Sequence, residues 1–345
     1  DKLRAAIRDP QALHAVAKKG HERLLANFTW DIVGRKTEEV IWQSCGSSGS
    51  RGNGTMHCHK VAIVSNAYPP NAIGGAEIAV HQEAKLLQEQ GLQVVIFAGE
   101  LNNEGGRHCV REDSYEGISV RRVCLHSRDY SADFFNFYHG DVHRHFEDFL
   151  DANAPDVVHF HNLAGLSVSL IRAARRRGIR TFLTLHDHWA FCLKNTLLKH
   201  GTDVCRDHTR CADCLPFVSG GRWQNVPVSM RSSYLSYQLA AVDNFISPSR
   251  YLADAYSRAG IAKERIEVID NPLKLEDFRE VPRTEDPRIR FSFVGYLGAH
   301  KGVQTVVQAL SLLNGHGPEL LLNIVGDGGK RGMLEQQVEK LALGH

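Results

Sequence analysis

From residue 61 onward, short apolar runs alternate with stretches of helical period, and no other feature of the chain restricts its fold as much. VAIVS (61–65), VVIFA (94–98), ISVRRV (118–123), DVVHF (156–160) and TFLTL (181–185) read as strands. Residues 76–90, 141–151 and 166–177 between them carry apolar residues at helical spacing. NFISP and RIEVID continue the pattern around helices over 229–241 and 250–259. Strands alternating with helices predict an α/β fold built on a doubly wound, parallel Rossmann-like sheet. Such sheets gather ligands at the carboxyl ends of their strands. A second cycle starts near Arg288: strands over 289–295 and 320–326, helices over 302–313 and 331–343. Two strands and two helices are too few for a full doubly wound domain, so a truncated second domain is expected.

Both flanks fit a chain of several parts. Residues 1–44 are polar and helical, with Pro10 in a first turn and a second helical stretch at TWDIVGRKTEEVIW. CGSSGSRGNGT (45–55) is a Gly/Ser linker that cannot bury a core. The expected division is therefore 1–44 helical, 45–58 linker, 59–285 first Rossmann-like domain and 286–345 the start of a second. A chain of 345 residues that begins with Asp1 points to a piece of something longer, with Met56 as an alternative true start.

Five motifs carry chemistry. In SNAYPPNAIGGAE (65–77), two glycines open the helix that follows the first strand. Bare backbone at a helix N-terminus suits a phosphate, and an ordinary strand-to-helix loop is the competing reading. Glu100, ending the second strand, imitates the acid of a dinucleotide fingerprint, but adjacent glycines after so long a lead-in are not that tight turn. His159 and His161 end one strand and His186-Asp187-His188 ends the next. Imidazoles there can bond a sugar hydroxyl, carry a proton or chelate a metal. Cys192, Cys205, Cys211 and Cys214, spaced C-x12-C-x5-C-x2-C, leave structural zinc, free thiols and disulfides open. In Gly295-Tyr296-Leu297-Gly298-Ala299-His300-Lys301-Gly302, a strand end delivers Lys301 to a helix start. Finally, Arg172, Arg175, Arg176, Arg177 and Arg180 form a basic run, either a solvated face or a contact for anionic lipid headgroups.

Taken in order, YPPNAIGGAE, PDVVHFHN, TLHDHWAFC, FISPSRYLADAY, the run ending in Asn271, VGYLGAHKG and IVGDG resemble the retaining glycosyltransferases of family 4, with the GT-B fold. The match covers residues 59–345. The resemblance implies roles. Gly74 and Gly75 would hold a nucleotide-sugar diphosphate, and His186, with Asp187, would serve the reacting sugar. Lys301 would neutralise the leaving diphosphate. Glu77, His159, His161, Ser249, Arg250, Asn271 and Gly295 would complete the donor and acceptor surfaces. The front-face reaction implied needs no protein nucleophile and no catalytic metal, and several members carry a similar cysteine cluster. The acceptor would be a glycan or lipid-linked sugar; no nucleic-acid partner is expected.

Two departures stand out. Tyr296 occupies a position where the family has an arginine, and the family's donor-binding glutamate pair is expected beyond His345. ANFTWDIVGRKTEEV resembles the last helices of a family 4 enzyme, so residues 1–44 look like the end of one transferase placed before the start of another. In this fold the terminal helix crosses back onto the N-terminal domain, so the segment is able to pack on the domain that follows it. The scattered cysteines and the lack of a long apolar run predict a cytoplasmic protein, with peripheral contact at the cytoplasmic face of a membrane.

Overall fold

The computed structural model describes residues 9–46, 58–71, 74–102, 104–131, 136–199, 203–219, 225–272, 288–313 and 319–343. The chain divides into two compact units: His21–Leu197 with Arg206–Asp277, and Asp1–Gly20 with Leu198–Cys205 and Phe278–His345. The boundary near 278 precedes the one expected at 286. Most of the linker expected over 45–58 lies outside the described residues.

The larger unit is built on β1 (Lys60–Ser65), β2 (Gln93–Leu101), β3 (Val110–Tyr115), β4 (Ile118–Leu125), β5 (Val157–Phe160), β6 (Arg180–Thr184), β7 (Asn244–Ser247) and β8 (Ile266–Val268). They form one sheet in the order β8-β7-β6-β5-β1-β2-β4-β3. Every pairing is parallel except that of the edge strand β3 with β4. β1 is central and is buried at every position after Lys60, which is why its run is apolar without alternation.

Each face of the sheet has its own core. Ala62, Val64, Val158, Phe160 and Leu183 pack on Val142, Phe146 and Phe149 of α4 (Gly140–Asn153), with α5 (Leu170–Arg176), α6 (Val228–Leu239) and α7 (Arg250–Arg258) completing that layer. Val61, Ile63, Val157 and Phe182 face the other way, against Val80, Ala84 and Leu87 of α3 (Gly75–Glu89). Alternate strand positions point to opposite faces, so the two cores interleave along every strand.

Two helices precede the sheet. α1 (Pro10–Asn27) starts with the Ala12 amide donating to Asp9 Oδ1 at 2.9 Å, an N-cap bond. α2 (Trp30–Gly46) runs past residue 44, where the helical segment was expected to end. Its Val33 and Ile41 join the core beneath α3, and its Trp30 indole donates to Glu89 of α3. Gly34 makes that approach close: a Cβ there would stand 2.7 Å from Leu86 Cδ2. Within the larger unit, α2 thus lies on α3, the kind of placement expected of a family 4 terminal helix.

The smaller unit pairs β9 (Ile289–Val294) with β10 (Leu320–Val325) in parallel, register Ile289 to Leu320. α8 (Val303–Ser311) and α9 (Arg331–Lys340) close a small core of Leu297, Val303, Val307 and Leu334. Val294 and Val325 at the strand ends remain 77% and 57% exposed.

Candidate active site

The carboxyl edge of the sheet carries the histidines on the α3 side. Val157 and Phe182 belong to the core beneath α3, so His159 and His161, two and four residues past Val157, share that face. Thr184 and His186 follow Phe182 in the same way. Adjacent strands therefore present two rungs. His159 Nε2 lies 2.7 Å from Thr184 Oγ1, and His161 Nδ1 lies 3.0 Å from His186 Nε2. Glu83 of α3 sits over the β5 rung. Its Oε1 is 2.6 Å from His159 Nδ1 and its Oε2 3.5 Å from His161 Nε2.

Burial decides the charge of these rings. It drives His161 well below the usual histidine range, helped by the neighbouring imidazoles of His159 and His186. It pushes His186 down to about 4, although Glu83 pulls the other way. Both are neutral near pH 7. A pocket beside them is lined by Val33 and Thr37 of α2, by Ala79, Glu83 and Leu86 of α3, and by Asp270 and Asn271. Thr37 Oγ1 donates to the Val33 carbonyl at 3.0 Å, so no unsatisfied hydroxyl faces the pocket from α2.

The glycine loop is held from three sides. Its Asn66 amide donates to the Asn162 carbonyl at 2.7 Å, tying the β1 end to the β5 end. Arg122, 1% exposed, donates to the carbonyls of Tyr68 (2.9 Å) and Pro69 and to Asp113 Oδ2 (2.8 Å). Glu100 accepts from Asn71 Nδ2 at 2.9 Å and pairs with Arg111 at 2.8 Å, so the acid that imitates a fingerprint residue is a loop anchor. At the helix start, the Gly74 amide donates to the buried Glu77 carboxylate at 2.8 Å.

The remaining expected residues fall in separate places. Asp187 Oδ1 accepts the Trp189 amide at 2.7 Å, and its carboxyl is raised by burial. Ser249 caps α7 by accepting the Leu252 amide at 3.2 Å, and Arg250 is exposed at that helix start. Gly295 and Lys301 belong to the smaller unit, where Lys301 is exposed at the end of a short 3-10 turn, Ala299–Lys301. Cys192, Cys211 and Cys214 share the larger unit without all coming within 4.8 Å of one another; the sets of three within that distance among the described residues are Glu83–His159–His161 and His108–Asp129–His139. Three of the five arginines of the basic run are engaged within the protein. Arg172 stacks on Tyr237 at 3.5 Å, Arg175 pairs with Asp243 at 3.1 Å, and Arg177 pairs with Glu147 and Asp151 at 2.9 Å.

A family model described as Glycosyltransferase Family 4 matches residues 73–277. The chain belongs to that family. A 42.6 kDa protein in the cps region of Klebsiella pneumoniae is 24% identical over 260 residues, 70% of this chain and 62% of its own length. The chain thus spans less than two thirds of that curated relative. Among solved structures, sucrose-phosphate synthase from Thermosynechococcus elongatus superposes with a TM-score of 0.53 at 16% identity, covering 83% of this chain and 68% of that one. An Escherichia coli trehalose-6-phosphate protein, solved with UDP-2-fluoro glucose, gives 0.52 at 15% identity, covering 82% and 69%. At that identity the likeness is one of fold, and the fold is that of GT-B glycosyltransferases. As a family 4 chain, it has no helix among its described residues long and apolar enough to cross a membrane.

Sequence reasoning missed Glu83 and Arg122. Glu83 had a signal: it stands at helical spacing between the buried pairs Ala79, Val80 and Leu86, Leu87, and is itself half-buried, where an acid is out of place. Arg122 sits in ISVRRV, where two adjacent arginines suggest no buried role, yet Val120, Val123 and Cys124 around it are buried.

Proposed function

We propose that this chain transfers a sugar from a nucleotide-sugar donor to a glycan or lipid-linked acceptor, with retention, in polysaccharide or glycoconjugate assembly. One observation carries the reading: His186, a neutral imidazole, stands at the carboxyl edge of the parallel sheet, beside a pocket and across from the His161 rung. Family membership and the GT-B likeness support it, and the cps-region relative supports polysaccharide as the setting.

In the proposed step the sugar–phosphate bond breaks as the acceptor oxygen bonds the anomeric carbon from the same face. The leaving diphosphate takes the acceptor proton. His186, uncharged near pH 7, bonds a sugar hydroxyl and does not act as a proton carrier. The charge that builds on the diphosphate calls for fixed donors and cations. Gly75 at the start of α3 and Lys301 in the smaller unit are the groups assigned to it.

A second reading, a donor-deficient module that binds an acceptor glycan, is favoured by the Gly74 amide. That amide already serves Glu77, which places a carboxylate at the helix start. Release of nucleoside diphosphate from a panel of nucleotide sugars separates the two. Acceptor-dependent release with an axial or equatorial product matching the donor anomer supports the first. Glycan binding without release from any donor would leave the second.

A further inference from the structure

We propose that Glu83 is a positioning residue: it fixes which nitrogen of His186 carries the proton and so leaves His186 Nδ1 as a bare hydrogen-bond acceptor. That this acceptor meets a sugar hydroxyl rests on the transferase reading above; the tautomer itself does not.

The argument starts at the carboxylate. An ionised carboxylate only accepts hydrogen bonds, and a neutral imidazole has one N–H and one lone pair. Glu83 presents Oε1 to His159 Nδ1 at 2.6 Å and Oε2 to His161 Nε2 at 3.5 Å. Glu83 Oε1, His159 Nδ1 and His161 Nε2 are buried and make no aligned hydrogen bond, with one another or elsewhere, so each ring nitrogen meets this carboxylate as a nearby charge rather than as a hydrogen-bond partner. A lone pair turned toward a buried negative charge is repelled, and an N–H is attracted. The proton of each ring therefore goes to the side facing Glu83.

The rest follows by counting. His159 Nε2 is then bare and accepts from the Thr184 hydroxyl at 2.7 Å. His161 Nδ1 is bare and accepts at 3.0 Å from His186, whose proton must sit on Nε2. His186 Nδ1, without a hydrogen bond within the described residues, keeps its lone pair. The two bonds between the strands each have one donor and one acceptor, and both run in one direction, toward Glu83. The opposite direction would leave two lone pairs against the carboxylate.

The measurement is ring-nitrogen NMR on the full chain with 15N-labelled histidine, with His161→Asn and His186→Asn used to assign signals. The expected spectrum has His186 protonated on Nε2 and unprotonated on Nδ1. Glu83→Gln, whose amide can donate, is expected to reverse or mix the pattern on both His161 and His186. A residue that only packs would leave it unchanged. His186 protonated on Nδ1 in the wild type overturns the proposal, whether or not Glu83→Gln folds. So does an unchanged pattern in folded Glu83→Gln. Elemental analysis of protein purified without chelator supplies a third arm. A stoichiometric divalent ion, lost in Glu83→Gln, would mean that Glu83, His159 and His161 are ligands and would overturn the tautomer argument as well. Where the wild type turns over a donor, Glu83→Gln is expected to lose about tenfold or more in kcat with a smaller change in donor KM. An expected tautomer in a wild type that, together with a version extended past His345, releases no nucleoside diphosphate would sink the transferase reading alone.

Discussion

Arg122 Nη1 and the main-chain carbonyl of Tyr68 are 2.9 Å apart, and through that bond the β4 strand grips the loop that leads to the two glycines. The same guanidinium reaches Pro69 and Asp113. Removing it orphans buried acceptors in the loop. Arg122→Ala is expected to cost about 3 kcal/mol in urea denaturation, and Arg122→Lys to restore less than half, since a lysine cannot serve three acceptors in one plane. A loss below about 1 kcal/mol for Arg122→Ala would show that the loop holds without the clamp.

Gly34 leaves room for Leu86. A methyl group in its place would press on Leu86 from 2.7 Å. Gly34→Val is expected to destabilise by about 1–3 kcal/mol through overpacking. Leu86→Ala in the same chain should recover part of that loss, because the two residues share one contact. Strict additivity of the two changes would mean that α2 and α3 do not meet in solution.

Acidification should weaken the fold through the histidine rungs. His186 has a folded pKa near 4, below the unfolded value of about 6.5. Between those values the unfolded chain binds a proton that the folded chain does not. The stabilisation is complete above pH 6.5 and is lost as pH falls toward 4, amounting to about 3 kcal/mol for His186 alone. His161, lowered by the same burial, acts in the same direction. Urea midpoints taken from pH 7.5 to 4.5 would show the slope, and His186→Asn should flatten it. A midpoint independent of pH across that range would contradict the buried, neutral assignment.

Activity, where it is found, should separate the roles proposed for Lys301 and His186. Lys301→Ala is expected to reduce kcat about 100-fold or more, the size of an electrostatic contact made to developing charge. His186→Ala should reduce kcat about 100-fold and also raise the donor KM, as for a group that touches the sugar before and during reaction. Steady-state rates of nucleoside diphosphate release are the readout. A Lys301→Ala enzyme with wild-type kcat would remove Lys301 from the chemistry.

Much of this architecture was legible in the residues. The buried strands came out within one to three residues because their runs are continuously apolar, and the histidines were found because two clusters close neighbouring strands. β3 was missed: VREDSY is an edge strand with no fully buried residue, and a strand with so little to bury has no apolar alternation to show. Glu83 and Arg122 were missed for a related reason. Each is a charge in an apolar layer whose partners come from a different part of the chain, His159 and His161 for one and the Tyr68–Pro69 carbonyls for the other. Local periodicity cannot say that a charge has distant company. The role of Glu100 was hidden in the same way by its place at a strand end.

The order of α2 along the chain has a consequence for biosynthesis. A ribosome releases Val33, Gly34 and Ile41 before it has made any strand of the sheet or the helix that carries Leu86. The apolar side of α2 therefore waits, without its cover, until Leu86 is made, 45 residues after Ile41 and 52 after Gly34. A helix that docks from the end of a chain meets a finished surface, whereas this one must be collected by a surface still being made. Its contacts with α3 should thus form among the first long-range contacts of the nascent polypeptide, and the Gly34–Leu86 fit would bear on yield in the cell as much as on equilibrium stability.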